Sequence, residues 1–446
     1  MIDFIIRGTL SLCIKRNIVI IGLMGFFAGL PLLMCGPILA FWLSQSNLDI
    51  SIVSFAGLSS IPYALKFLWV PFIEYKSPPL LNYIFNRKKK ISNHKLWLIS
   101  TQLIIGISMI LLSQINPLNN LKFLVFLVFV ISVSAATQES IMLAYDLSRL
   151  NSLEYSMGEA MRTSGYRLGM LCSSVSSLYL SSSYGWGASY FCIGILLIFG
   201  SIFSMLLKDS FLSRQTIVLN YINSSDKKYK FKAWILRSII DPISEIKNKE
   251  GWIAIFILTF IYKAGDNLVG NLHNVFYTSL GFSKIEIAEI SKIFGTFATI
   301  IGCIFSGGMI NRIGLGKSLI YGCLTHAIAT YLYVIMYGIG YNKFALYGLI
   351  FLEHFTGGFR TTALFTLRMY ICQNNIYSVT QMALLSSIST MGRSSFSIWS
   401  GWIVKYFGWK TLFTIATLLS VPGLVIVLYI SLKKKYSFLQ PRTSID

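Results

Sequence analysis

Polar and apolar positions along this chain separate into long blocks. No charged side chain occurs from Asn17 to Leu48, and none occurs in the forty positions from Leu168 to Leu207. An amphipathic surface helix would carry polar residues every third or fourth position, so these runs predict helices surrounded by apolar material on all sides. A helix crossing the hydrocarbon core of a bilayer takes about 20 predominantly apolar residues. As a single helix, Leu168–Leu207 would be about 60 Å long, so the stretch Ser181–Gly187 (SSSYGWG) is expected to split it in two. Breaking the other runs at turn residues and charge clusters predicts twelve spans. They are 18–43, 51–73, 96–114, 121–146, 157–180, 187–207, 251–277, 286–310, 318–339, 344–369, 378–404 and 409–432. The first run is too long for a signal-peptide core and lacks a small-x-small cleavage site, so it is expected to stay attached.

Composition agrees with the pattern. Of 446 residues, 54% are apolar and 12% charged, against roughly 25% charged in a soluble domain. Too little polar sequence remains to coat a globule of this size, which excludes an ordinary cytosolic enzyme, a disordered chain and a disulfide-stapled secreted domain. The seven Cys are scattered singly, without C-x-x-C and without His at ligand spacing, and read as small apolar residues within spans. The chain is expected to be an all-α polytopic membrane protein whose main partner is the lipid bilayer.

The net charge of +21 would suggest nucleic acid on a soluble protein. Its distribution removes that reading. Twenty-seven of the thirty-eight Lys and Arg fall in the termini and in the turns after even-numbered spans, while only Lys122, Lys284, Lys343, Lys405 and Lys410 fall in the other turns. Cytoplasmic loops are rich in Lys and Arg, so both termini and the central loop are expected on the cytoplasmic side, and no nucleic-acid partner is needed. The central loop, 208–250, is basic and partly aromatic (NSSDKKYKFKAW), as expected of a linker touching an anionic leaflet. The expected organisation is a six-helix bundle over 1–207, this linker, a second six-helix bundle over 251–432 and a cytoplasmic tail over 433–446.

The two halves resemble each other. Gly185-Trp186-Gly187 precedes the sixth span and Gly408-Trp409-Lys410 the twelfth, 223 positions apart; Gly165-Tyr166-Arg167 and Met391-Gly392-Arg393 repeat at an offset of 226. Duplicated six-helix units joined by a cytoplasmic linker are the architecture of major facilitator transporters, whose substrate cavity lies between the halves near the midplane.

Ionisable residues inside spans cost about 2.5–3.5 kcal/mol each on insertion scales and therefore need a reason. They are Lys66, Glu139, Arg167, Lys263, Asp266, Lys292, Glu353, His354, Arg360 and Arg393. Lys263 and Asp266 stand at i, i+3 on the seventh span, either as a self-neutralising structural pair or as a cavity-facing pair that a proton or an anionic substrate opens. Glu139 follows Thr137-Gln138 on the fourth span, and Glu353 and His354 lie deep in the tenth. Buried acids change protonation near neutral pH, which proton coupling requires, so Glu139, Asp266 and Glu353 are the coupling candidates. His354 is adjacent to Glu353 and need not share its face; a packed hydrogen-bonding role suits it equally. Arg167 and Arg393 serve either as inter-helical donors or as carboxylate grips. Lys66, flanked by Tyr63, Phe67 and Trp69 and about ten residues from the span end, lies too deep to snorkel and reads as a cavity cation for an anionic group. Neither G-x-S-x-G, H-E-x-x-H nor a Walker A lysine loop occurs, and four His do not support a histidine-ligated metal.

In order along nearly the whole chain stand GFFAGLP (25–31), PYALKFLWVP (62–71), GYRLGML (165–171), YKAGD (262–266), GFS (281–283), KIFG (292–295) and TQMALLS (380–386). On these motifs the chain resembles the AmpG-type muropeptide permeases of the major facilitator superfamily. The resemblance implies proton-driven import of anhydromuropeptides, fragments of peptidoglycan, across a bacterial inner membrane, with no cofactor and a monomeric transporter. It implies substrate contacts for Lys66, Gln138, Tyr145, Tyr166, Arg167, Lys263 and Arg393. The fourth span departs from the family's Q-D-x-x-x-D-A pattern: Glu139 keeps the first acid, Leu143 replaces the second, and Asp146 stands where a base is expected. Glu74-Tyr75 likewise replaces the family's Asp-Arg. The chain is therefore expected to be a divergent paralogue. A carrier of another bulky anionic metabolite, acyl-CoA-like in charge, and a non-transporting receptor for wall fragments are the alternatives.

Overall fold

The computed structural model describes residues 12–46, 48–49, 55–78, 91–209, 240–248, 251–373 and 377–432. The cations Arg7 and Arg87–Lys90, most of the 208–250 linker and the 433–446 tail lie outside the described residues. The fold is helical throughout these residues, and its spans follow the apolar blocks closely. They comprise α1 (Arg16–Gln45), α2 (55–75), α3 (Asn93–Leu112), α4 (Leu121–Arg149), α5 (155–184), α6 (186–206), α7 (Trp252–Ser279), α8 (Ile285–Ile313), α9 (Leu315–Ile339), α10 (Lys343–Cys372), α11 (378–407) and α12 (409–432).

Two long stretches, Tyr155–Leu206 and Ser378–Ser431, run on by length, but each breaks at a glycine. Gly185 takes φ 82°, ψ 167° and Gly408 takes φ 78°, ψ 173°, a backbone that essentially only glycine adopts. The Gly-Trp pairs read from the sequence as repeats are therefore the same reversal made twice, between α5 and α6 and between α11 and α12.

Several spans are not simple helices. Tight 3-10 turns at Phe55–Ser60 and Lys66–Leu68 interrupt α2, whose Pro62 and Pro71 each open a new helical segment. In α7 the helix stops at Ile261 and restarts at Ala264, because Lys263 leaves helical geometry at φ −110°, ψ 19°. Ala288–Phe294 of α8 winds as a π-helix, a form often found at functional sites.

Close packing of α1 on α5 uses glycine on both sides. A Cβ on Gly165 would sit 1.9 Å from the Gly22 carbonyl oxygen, and one on Gly25 would sit 2.3 Å from the Arg162 carbonyl oxygen. With little hydrophobic drive between helices in lipid, such backbone approach is what gains dispersion energy.

The core is distributed unevenly along the membrane normal. At the end where the linker emerges, one apolar cluster joins both halves: Leu143, Leu147, Tyr155 and Met157 pack with Cys303, Ile310, Leu364, Leu367 and Met382. At the far end there are two separate clusters. One, around Trp42, Ile105, Leu127 and Tyr190, belongs to the first half. The other, around Phe276, Tyr333 and Phe413, belongs to the second. The halves are sealed to each other at the linker end.

Candidate functional site

The buried charges fall into three groups, each set by helices whose polar positions face inward. In the first half, Lys66 of α2 donates to Glu139 of α4, Nζ to Oε2 at 2.8 Å. Lys66 is 1% exposed, so Glu139 supplies the negative charge that makes its burial tolerable. One turn away, Trp69 Nε1 donates to Thr137 Oγ1 at 2.9 Å and fixes the same two helices. Tyr63 and Tyr166 lie within electrostatic range of Glu139. Gln138 is buried beside it; its amide nitrogen reaches Met142 Sδ at 3.8 Å, and its amide oxygen has no hydrogen-bond partner among the described residues.

In the second half, Asp266 is held by two partners from other helices. Arg360 Nη1 of α10 approaches its carboxylate oxygens at 3.3 and 3.2 Å, and His326 Nε2 of α9 contacts Oδ1. His326 is positioned in turn by Thr356 at 3.2 Å and Thr330 at 3.1 Å, while Arg360 lies over the Tyr262 ring at 4.8 Å. Lys263 does not pair with Asp266: it donates to Thr361 Oγ1 of α10. The break of α7 at Lys263 leaves that residue as the non-helical cap of the segment that carries Asp266, so the two do not share the helical face that their i, i+3 spacing predicts.

Between the halves the charge is unbalanced. Arg167 of α5 lies within electrostatic range of Lys263, Lys292 and His354, all in the second half. Arg393 of α11 is likewise in range of Lys263 and of Tyr166 across the boundary. Arg167, Lys292 and Arg393 form no hydrogen bond or ion pair with the described residues, and Lys292 and Arg393 are exposed. Lys66 and Lys292 stand 226 positions apart, as do Arg167 and Arg393, so the cations recur at the repeat offset in both halves. The acid closest to this group, Glu353, is 3.3 Å from His354 Nε2. The His354 ring packs on Gly295 and meets Thr299 Oγ1 at 3.2 Å, so it also serves to join α8 and α10.

The third group lies in the linker-end seal, and the sequence pattern assigned its cations to loops. Arg162, on α5, is bidentate to Glu159, Nε–Oε2 at 2.8 Å and Nη2–Oε1 at 2.6 Å. Its guanidinium lies over the ring of Phe365 of α10 at 4.9 Å, and Arg368 approaches the same ring at 4.5 Å. Arg368 also donates to Ser389 of α11. Ser156 bonds Asn311 at 2.8 Å, and Tyr370 donates to the Ser152 carbonyl at 2.8 Å. Tyr145 is buried here, beside Val379 and Ala383, with its hydroxyl accepting from Arg149. The signal for Arg162 was the spacing Glu159-x-x-Arg162, a self-neutralising helical pair; His326 was signalled by Thr330 one turn on.

Residues 21–392 match the Major Facilitator Superfamily. The chain belongs to this superfamily. As a major facilitator protein it is a multi-pass membrane transporter and not an enzyme. The anhydromuropeptide permease of Escherichia coli K12 is 27% identical over 408 residues, spanning 91% of this chain and 78% of that protein. A Rickettsia conorii protein named AmpG 4 is 28% identical over 413 residues, 92% and 95% of the two chains. A solved proton:xylose symporter, XylE, superposes with a TM-score of 0.69 at 13% identity, covering 93% of this chain and 95% of its own. The human organic anion transporter MFSD10 gives 0.66 at 13% identity, covering 92% and 98%. These two establish the fold.

Proposed function

We propose that this transporter imports anhydromuropeptide-like sugar–peptides by alternating access and is driven by protons. The observation that carries the reading is the set of cations facing the boundary between the halves. Among the described residues Arg167, Lys292 and Arg393 form no hydrogen bond or ion pair and Lys263 has a hydroxyl. The nearby acids Glu139, Asp266 and Glu353 are engaged by Lys66, by Arg360 and His326, and by His354. A cluster of cations with few counter-charges favours an anionic ligand, and guanidinium forks suit the carboxylates of a peptide. The relatives supply the substrate class, since the Escherichia coli protein is named for anhydromuropeptides.

In this reading Lys66, Gln138, Tyr166, Arg167, Lys263 and Arg393 contact substrate. Tyr145 joins them only when the linker end opens. Glu139, Asp266 and Glu353 carry coupling: protonating one releases its cation partner for the substrate carboxylate. No cofactor is required, the transporter works as a monomer, and the Lys/Arg distribution puts both termini and the linker in the cytoplasm of a bacterial inner membrane.

The test is uptake of labelled anhydromuropeptide into proteoliposomes with an imposed inward proton gradient, with and without an uncoupler. Accumulation that the uncoupler abolishes is expected. Binding without accumulation would make the protein a receptor. Displacement by an acyl-CoA in preference to muropeptide would reassign the substrate to another bulky anion.

A further inference from the structure

The linker-end seal holds an acid that none of the charge pairs above uses. Asp146 lies in the last turns of α4 with 1% of its surface exposed, and neither carboxylate oxygen accepts a hydrogen bond from the described residues. Among the described residues its one close cation is Arg162, whose Nε stands 3.6 Å from Oδ2. That nitrogen is already committed to Glu159, which is also 1% exposed and accepts a third hydrogen bond from Thr163 at 2.9 Å. Two buried carboxylates thus face one guanidinium, and the better-placed one has taken its donors. Two ionised carboxylates in such a site repel each other strongly. Glu159 receives three donated hydrogen bonds, and Asp146 receives none from the described residues.

The other elements packed around Asp146 offer no relief. On its own helix Arg149 is directed to Tyr145 and to Asn17 of α1. Arg368 of α10 is held by Ser389 and Phe365. Residues 378–392 of α11 contain no charged side chain. Lys15 at the start of α1 pairs with Glu154, and Lys66 of α2 pairs with Glu139. The surroundings of Asp146 are shared with the other half: Arg162 lies over Phe365 of α10. Its neighbours Leu143 and Leu147 pack in one cluster with Leu364, Leu367 and Met382, and Tyr145 packs with Val379 and Ala383.

We propose that Asp146 is a proton-binding residue of the linker-end seal, protonated while the halves are closed there and ionised when they part. Closure removes water from a carboxylate that has no donor, so the closed state binds the proton more tightly than the open one. Acid therefore favours closure and alkali favours opening, by linkage. This inference does not rest on the identity of the substrate.

The experiment measures the distance between spin labels at Leu153 and Lys317, exposed sites on opposite halves at the linker end, in a Cys172→Ser, Cys192→Ser background in nanodiscs. In the otherwise wild-type protein the ratio of short to long distances should fall with rising pH, by up to about tenfold per pH unit across the titration. Asp146→Asn, neutral at every pH, should remain closed with no such slope. Glu159→Gln frees Arg162 for Asp146 and should move the midpoint to lower pH, which tests the pairing should the first variant fail to fold. A slope retained in Asp146→Asn, an unmoved midpoint in Glu159→Gln, or a wild-type ratio independent of pH would each overturn the proposal.

Discussion

The two halves of this transporter solve the same problem, a charge buried in a bilayer, in different ways. In the first half the solution is one acid and one base on neighbouring helices: Lys66 and Glu139 at 2.8 Å, with Trp69 and Thr137 pinning the helices beside them. In the second half one acid, Asp266, is shared by Arg360 and His326, and Lys263, three residues away, is left with a threonine hydroxyl. The first site is balanced in this state, its cation and acid paired to each other. The second is cation-rich and is extended across the boundary by Arg167 and Arg393. The contrast separates charges that are paired in this state from charges left open at the boundary, which composition alone does not distinguish.

Breaking the balanced pair should give the largest effect. Glu139→Ala leaves Lys66 buried and unpaired, a change that typically destabilises by about 3–5 kcal/mol; thermal unfolding in detergent should show it. The double variant Lys66→Met, Glu139→Leu should recover most of that loss. If Glu139→Ala unfolds at the wild-type temperature, the pair is not structural and the contrast collapses.

In the second half the corresponding change should be milder in stability and more severe in transport. Asp266→Asn weakens hydrogen bonds to Arg360 and His326, at about 1.5–3 kcal/mol, while Arg360 keeps Tyr262 beneath it. Gradient-driven accumulation should be lost, whereas counterflow, which needs no net proton movement, should persist. Unchanged pH dependence of accumulation in this variant would move coupling to Glu139 or Glu353.

Arg393→Gln should leave the unfolding temperature where it was, because Arg393 is exposed and unpaired. Its effect should appear in ligand affinity: losing a charged hydrogen bond of about 1.5–3 kcal/mol weakens binding roughly 10–150-fold. Trp69→Phe removes one neutral hydrogen bond and should cost about 0.5–1.5 kcal/mol in stability with little change in affinity. Together these variants separate the structural site from the ligand site along two independent readouts.

Much of the architecture was legible in the order of apolar blocks, because a span must satisfy its backbone internally and present apolar side chains to lipid. The twelve expected spans correspond to α1–α12, and the glycines that end α5 and α11 were visible as a repeated Gly-Trp. The apolar signal is weakest at α10, which Glu353, Arg360 and Arg368 interrupt, and the alternation of basic loops supports the even count that includes it. The pairing of charges was not legible. Asp266 and Arg360 are 94 positions apart, and Asp266 sits just after the break of α7 at Lys263, a backbone event with no signature beyond the local Tyr-Lys-Ala-Gly sequence. Arg162 and Arg368 were counted as loop cations because both stand near span ends; the joint core of the two halves is what buries them. A charge near a helix end is read as solvated unless the neighbour that covers it is known, and that neighbour lies in the other half of the chain.

In the proposed function, boundary cations that pair with none of the described residues receive an anionic sugar–peptide. The most direct measurement is uptake of labelled anhydromuropeptide by proteoliposomes carrying either the wild type or the Arg167→Gln, Arg393→Gln variant, under an inward proton gradient. The account predicts uncoupler-sensitive accumulation by the wild type and its near-complete loss in the variant at unchanged protein stability. Uptake by the variant equal to that of the wild type would contradict it.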